Sequence, residues 1–146
     1  MNKIKPLLYF FVWLVLPQIL FSQTGEDNYK FNRVDVGSGL SNSEVKCVYK
    51  DKTGFIWFGT KVGLCRFDGC EVKTYPLLSE DDIWSIEELD NDTLLLGTVS
   101  GLKYFSRKAN STVKLDIPST IVKSIRKTAE SQFLVGTEAG LYLVVP

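Results

Sequence analysis

Apolar residues fall in two patterns along this chain. Near the N-terminus they run unbroken from Leu7 to Leu16, behind Lys3 and Lys5. Beyond residue 23 they come in short bursts between polar, Gly- and Asp-containing stretches: Phe55-Ile56-Trp57-Phe58, Leu94-Leu95-Leu96 and Phe133-Leu134-Val135. Bursts of this length bounded by turn residues predict strands. No segment after the leader has the 3.6-residue spacing of an amphipathic helix. A strand that is apolar at every position, rather than at alternate ones, predicts a sheet covered on both faces.

Each burst runs into the same short motif. Gly59-Thr60-Lys61-Val62-Gly63-Leu64 recurs as Gly97-Thr98-Val99-Ser100-Gly101-Leu102 and again as Gly136-Thr137-Glu138-Ala139-Gly140-Leu141, at intervals of 38 and 39 residues. Fourteen residues before each leading glycine stands Val45, Ile83 or Val122, and eleven before it Val48, Ile86 or Ile125. In the first copy the pattern predicts strands at 44–49, 55–59, 64–67 and 70–75. Asp68-Gly69 reads as a type I′ hairpin turn. Four short strands per unit of about 40 residues is the signature of a β-propeller, whose blades stack face to face. The fold expected is all-β: a propeller fragment of about three four-stranded antiparallel blades, preceded by a signal-peptide helix. The divisions are a signal peptide at 1–22, a leading outer strand and linker at 23–39, blade 1 at 40–78, blade 2 at 79–117 and a partial blade 3 at 118–146.

The leader is shorter than the ~20 apolar residues a membrane-spanning helix needs. Cleavage near Ser22-Gln23 and export are expected, with an uncleaved anchor helix as the alternative. The 17 basic and 17 acidic residues balance. Cleavage would remove Lys3 and Lys5 and no acid, leaving 15 against 17. Nothing in that balance marks a nucleic-acid partner. The chain has no histidine, which excludes a Ser-His-Asp triad, a His-ligated zinc and a phosphohistidine on this chain. No metal or cofactor is expected. Three cysteines, Cys47, Cys65 and Cys70, leave at least one unpaired. Cys47 reads as a buried small hydrophobe, and a strained Cys65–Cys70 disulfide is one possibility.

Gly39-Leu40-Ser41-Asn42-Ser43-Glu44-Val45, then Asp51-Lys52-Thr53-Gly54-Phe55-Ile56-Trp57-Phe58-Gly59-Thr60, then Gly63-Leu64-Cys65-Arg66-Phe67-Asp68-Gly69 resembles the two-component regulator propeller repeat. The second copy departs at Asn91-Asp92-Thr93 and Ser106-Arg107, and the third is looser. The resemblance implies a seven-bladed propeller on the periplasmic side of a hybrid two-component sensor, often sensing oligosaccharides. It also places Tyr29 to Val34 as an outer strand before the first blade. Three blades do not close a ring, and the last strand is apolar and uncapped. The chain is therefore expected to be an N-terminal piece of a longer product. Its expected partners are an oligosaccharide ligand and the remaining blades or a sensor partner, with membrane contact only through the leader or a downstream region.

Candidate chemistry is sparse. Gly59, Gly97 and Gly136 are expected where strands leave no room for a Cβ. Gly63, Gly101 and Gly140 are expected at positive φ, and Thr60, Thr98 and Thr137 as turn hydrogen-bonders beside Leu64, Leu102 and Leu141. A phosphate-binding loop is the alternative for these glycines, but no Lys-Ser/Thr follows and no helix begins there. Glu80-Asp81-Asp82 and Glu87-Glu88-Leu89-Asp90 are expected to be solvated. Paired carboxylates of that kind could serve a glycosidase, but their place in loops and strand ends speaks against it, and neither Asp51 nor Asp90-Asn91-Asp92 has the spacing of a calcium loop. No catalytic residue is assigned. Trp84 is the one residue singled out for ligand contact, by stacking on a sugar ring, against a packing role between blades. The functional expectation is a non-catalytic sensory propeller segment; the alternatives are a fragment of a secreted propeller lyase or glycosidase, or a remnant without function.

Overall fold

The computed structural model describes residues 30–118, 121–129 and 132–145. The expected signal-peptide helix and its cleavage point lie outside them. Among the described residues, eleven strands form three antiparallel meanders. The first contains β1 (Val45–Lys50), β2 (Ile56–Thr60), β3 (Gly63–Phe67) and β4 (Val72–Tyr75), paired in that order. The second contains β5 (Ile83–Glu88), β6 (Thr93–Thr98), β7 (Gly101–Ser106) and β8 (Ser111–Leu115). The third contains β9 (Val122–Ala129), β10 (Gln132–Thr137) and β11 (Gly140–Val144). Sheets pack face to face along their first strands, with β5 against β1 and β2, and β9 against β5 and β6.

The all-apolar second strand has the physical meaning expected of it. On β6, Leu94 and Leu96 enter the core between sheets 1 and 2, and Leu95 enters the core between sheets 2 and 3. All three are wholly buried. Each such side chain contributes about 1.5–3 kcal/mol of hydrophobic stabilisation. The first core is centred on Trp57, whose ring stacks on Tyr75 at 5.5 Å between centroids and meets Phe105 edge-on at 6.1 Å. The outward faces of sheets 1 and 3 carry exposed Val48, Leu141 and Leu143.

Three expectations change, and the disulfide given as one possibility is not formed. Residues 30–34 form no strand. Asp35 instead caps a one-turn 3-10 segment at Val36–Ser38, and Gly39 ends it in the left-handed region. The Asp68-Gly69 turn is not type I′. Phe67 pairs with Val72, so four residues form the loop. Gly69 alone of the two has positive φ, and the Asp68 carboxylate accepts the backbone N–H groups of Cys70 and Glu71 at 2.9 and 2.8 Å. Cys65 and Cys70 are not bonded. Cys65 is buried opposite Thr74, and Cys70 is exposed in the loop. Cys47 is half-buried, and burial still pushes its thiol up to about 11. Finally, the acidic clusters are not simply solvated: Asp81 and Glu88 are buried against cations.

Candidate functional site

The repeated motif builds the same turn three times. Thr60 Oγ1 donates to the Gly63 carbonyl at 3.1 Å and accepts the Val62 N–H at 3.0 Å. Thr98 does the same with Gly101 and Ser100 at 2.9 and 3.1 Å, and Thr137 with Gly140 and Ala139 at 2.9 and 3.1 Å. Gly63 lies at φ 93°, Gly101 at 126° and Gly140 at 133°, where an L side chain is strained. Each turn is also tied to the chain entering the first strand of its own sheet. The N–H groups of Lys61, Val99 and Glu138 donate to the carbonyls of Glu44, Asp82 and Ile121. Leu64 and Leu102, which follow these glycines, are wholly buried, whereas Leu141 is 68% exposed.

The leading glycines set how closely the sheets approach. A Cβ on Gly59 would stand 2.5 Å from Cys47 Sγ and 2.8 Å from the Ile83 carbonyl oxygen of sheet 2. One on Gly97 would stand 2.3 Å from Ser85 Oγ and 2.7 Å from Val122 of sheet 3. Among the described residues, Gly136 has only Ser124 of its own sheet nearby.

Close to these turns the first strand of every sheet bulges at the same register. Pairing slips between Val45 and Cys47, between Ile83 and Ser85, and between Val122 and Ser124. The residues left out of the ladder are Lys46, Trp84 and Lys123. A bulge re-aims the side chain it releases, and here the three meet in a row across the sheets. Lys46 Nζ lies 4.9 Å from the Trp84 ring centroid and Lys123 Nζ lies 5.8 Å from it. Lys46 also pairs with Glu44, and Lys123 with Glu138 at 3.0 Å. Trp84 Nε1 and Asp82 Oδ1 are buried without a hydrogen-bond partner among the described residues.

A second polar cluster joins the opposite ends of sheets 1 and 2. Arg107 reaches Asp51 and Glu88 at 2.8 and 3.0 Å. Asp51 also accepts Trp57 Nε1–H at 2.8 Å, together with the N–H groups of Thr53 and Phe55. Burial opposes ionisation of Asp51, but these donors and the guanidinium outweigh it and hold its carboxyl below the usual range. Among the described residues no group of His, Cys, Asp and Glu is arranged to hold a metal.

Residues 39–61 match the family described as Two component regulator propeller. The chain carries a two-component regulator propeller repeat. That repeat covers the lead-in, β1, β2 and the Thr60 turn. The extracellular domain of a proposed one component system from B. thetaiotaomicron is similar over 80% of this chain, with a TM-score of 0.68 and 26% identity. That of a proposed hybrid two component system from the same organism is similar over 79%, with a TM-score of 0.66 and 23% identity. Histidine kinase P4 of Formosa agariphila is 37% identical over 73 residues, 46% of this chain. The chain spans 16–17% of those two solved domains and 5% of the kinase.

Within the repeat, Ser41 of the Gly-Leu-Ser lead-in hydrogen-bonds Thr60 Oγ1 at 2.9 Å, and its hydroxyl oxygen accepts a hydrogen bond from the Cys65 thiol at 3.1 Å. The motif is thus one connected turn rather than a set of separate positions. Trp84 lies outside the repeat match, half-buried, with both flanking lysines over its ring. Sequence reasoning singled out Trp84 and missed Lys46 and Lys123. Their signal was available: each stands immediately after the residue fourteen positions before a leading glycine. It also missed the Arg107 clasp, because Arg107 occupies a place where the repeat has an Asp-Gly turn.

Proposed function

We propose that this chain is part of the sensory input region of an exported two-component-type regulator, acting by binding a ligand and transmitting a conformational bias rather than by chemistry. The observation that carries this reading is the conjunction of the propeller repeat at 39–61 with the fold of the solved extracellular sensor domains. The leader at 1–22 supports export, with the mature chain beginning near Gln23. A stack of blades suits such a role. Each interface is a packed core with few alternative arrangements, so a ligand that prefers one spacing shifts the population of the whole stack. The ligand class suggested by the family is an oligosaccharide.

The buried carboxylates support binding over hydrolysis. Asp51 and Glu88 share Arg107, and Asp81 is held by Lys103 at 2.7 Å. A glycosidase needs one of its two carboxyls free to hold a proton and both open to substrate. Two measurements test the proposal. Protease added to intact cells with a permeabilised outer membrane should degrade the protein, and its N-terminus should read Gln-Thr-Gly. The DNA beyond codon 146 should encode further blades, a membrane span and a transmitter. A catalytic constellation there, or a protease-protected cytoplasmic product, overturns it.

A further inference from the structure

We infer that two copies of this chain pair head to tail, the outward face of sheet 3 on one packing against the outward face of sheet 1 on the other. The inference goes beyond the sensory reading and rests on the two internal interfaces, whose pattern the end faces repeat. Where sheet 2 meets sheet 1, it brings Ile83, Ile86, Leu94, Leu96 and Phe105 into the core. Where sheet 3 meets sheet 2, it brings Val122, Ile125, Phe133 and Val135, with Val144 packed alongside. The same five places on sheet 1, counted from Gly59, hold Val45, Val48, Ile56, Phe58 and Phe67. All five are apolar, yet none is buried, and Val48 is 64% exposed. A sheet face that meets water carries polar residues at such places, so this face is built to be covered. The other end matches it. Sheet 2 offers Leu95 and Leu102 to sheet 3. Leu134 and Leu141 stand at those places on sheet 3, with Leu143 paired beside Leu134. Gly59 and Gly97 admit Ile83 and Val122 of the following sheet. By the same register, Gly136 admits Val45 of a second copy.

A second copy is the occupant because the chain carries both halves of one interface. Two copies supply six sheets, within the four to eight with which propellers close, and a two-fold ring makes the contact twice. In a longer product, the blades on either side would take these faces. The register also sets one unfavourable contact. Glu87, ten residues before Gly97, accepts the N–H of Lys127, nine before Gly136, at 3.4 Å. Tyr49, ten before Gly59, lies beside Glu88, nine before Gly97. The same rule sets Arg126 of one copy against Lys50 of the other, and both are exposed cations in the single chain.

The test is sedimentation equilibrium of the exported chain, with far-UV circular dichroism to check that each variant folds. The wild type should sediment as a pair of chains in reversible equilibrium with single ones. Val48→Lys on sheet 1 and Leu141→Lys on sheet 3 should each weaken pairing by about ten-fold or more. An equimolar mixture of the two variants retains one intact contact and should pair better than either alone. Arg126→Glu should tighten pairing about ten-fold at low salt, because the ring contains the relieved contact twice, and the gain should fade in about 1 M salt. A single chain at the highest soluble concentration overturns the proposal. Association that survives Val48→Lys shows sheet 3 pairing with itself and overturns the head-to-tail mode. Arg126→Glu without effect overturns the register, and species larger than two chains overturn ring closure. Each of these results leaves the sensory reading to the export and downstream-sequence measurements.

Discussion

Arg107 on the β7–β8 turn donates from Nη1 to Asp51 Oδ2 on the β1–β2 turn at 2.8 Å, joining two sheets through residues 56 positions apart. Its other terminal nitrogen holds Glu88 at 3.0 Å, and the side chains of both acids are at most 1% exposed. Removing the cation leaves two buried carboxylates without their common partner. Arg107→Ala should cost about 3–5 kcal/mol in urea unfolding. Arg107→Lys should recover only part of that, because one ammonium cannot span both acids as a fork does. If Arg107→Ala unfolds at the wild-type midpoint, the clasp does not hold the two sheets together.

Asp51 also ties the stability of the fold to pH. Donors from Trp57, Thr53, Phe55 and Arg107 keep the folded-state Asp51 carboxyl below its ordinary value of 3.8 despite its burial. A group depressed in the folded state contributes stability that is fully present above its unfolded value and is lost as pH falls through its folded one. Unfolding free energy should therefore be level above about pH 5 and fall below about pH 4. In Arg107→Met the carboxyl loses its cation, and the fall should begin at higher pH. The measurement is the urea midpoint against pH for both proteins. Coincident curves after normalisation at neutral pH would remove Arg107 from the explanation.

Gly59 and Gly136 hold equivalent positions in the repeat but face different surroundings. An added methyl on Gly59 meets the backbone oxygen of Ile83, which cannot rotate away, and the Cys47 sulfur. On Gly136 it meets only the Ser124 hydroxyl of an exposed strand face, which can turn. Gly59→Ala should destabilise by about 1–3 kcal/mol through overpacking, and Gly136→Ala by a clearly smaller amount. Equal losses in thermal or urea unfolding would mean that the glycines serve the turn rather than the approach between sheets.

Much of this architecture is legible in the residues because the repeat supplies internal controls. Leu94-Leu95-Leu96 states that β6 is covered on both faces, and the Gly-Thr phase fixes the sheet boundaries to within a residue or two. Positive φ at Gly63, Gly101 and Gly140 follows from a tight connection whose backbone only glycine adopts without strain. The failures have different causes. Asp81 and Glu88 look like solvated loop charges until Lys103 and Arg107 are placed beside them. Asp68-Gly69 matches a two-residue hairpin until the Phe67–Val72 pairing shows four residues in the loop. The bulges at Lys46, Trp84 and Lys123 are hidden because an extra residue in a strand has no composition of its own.

Leu102 and Leu141 follow the second glycine of successive repeats, so their intrinsic preferences are the same and only their neighbours differ. Leu102 is wholly buried between sheets 2 and 3, whereas Leu141 is 68% exposed on the outward face of sheet 3 beside Leu143. Leu102→Ala should cost about 2–5 kcal/mol, the sum of lost transfer energy and the cavity left in a packed interface. Leu141→Ala should change stability by no more than about 0.5 kcal/mol. The outward face has a second consequence, because contiguous exposed leucines promote association. Leu141→Lys combined with Leu143→Lys should lower the sedimentation coefficient of concentrated protein towards that of a single chain without changing the unfolding midpoint. A large loss of stability in that double variant would instead show that sheet 3 is packed on that face in solution by something the isolated stack does not contain.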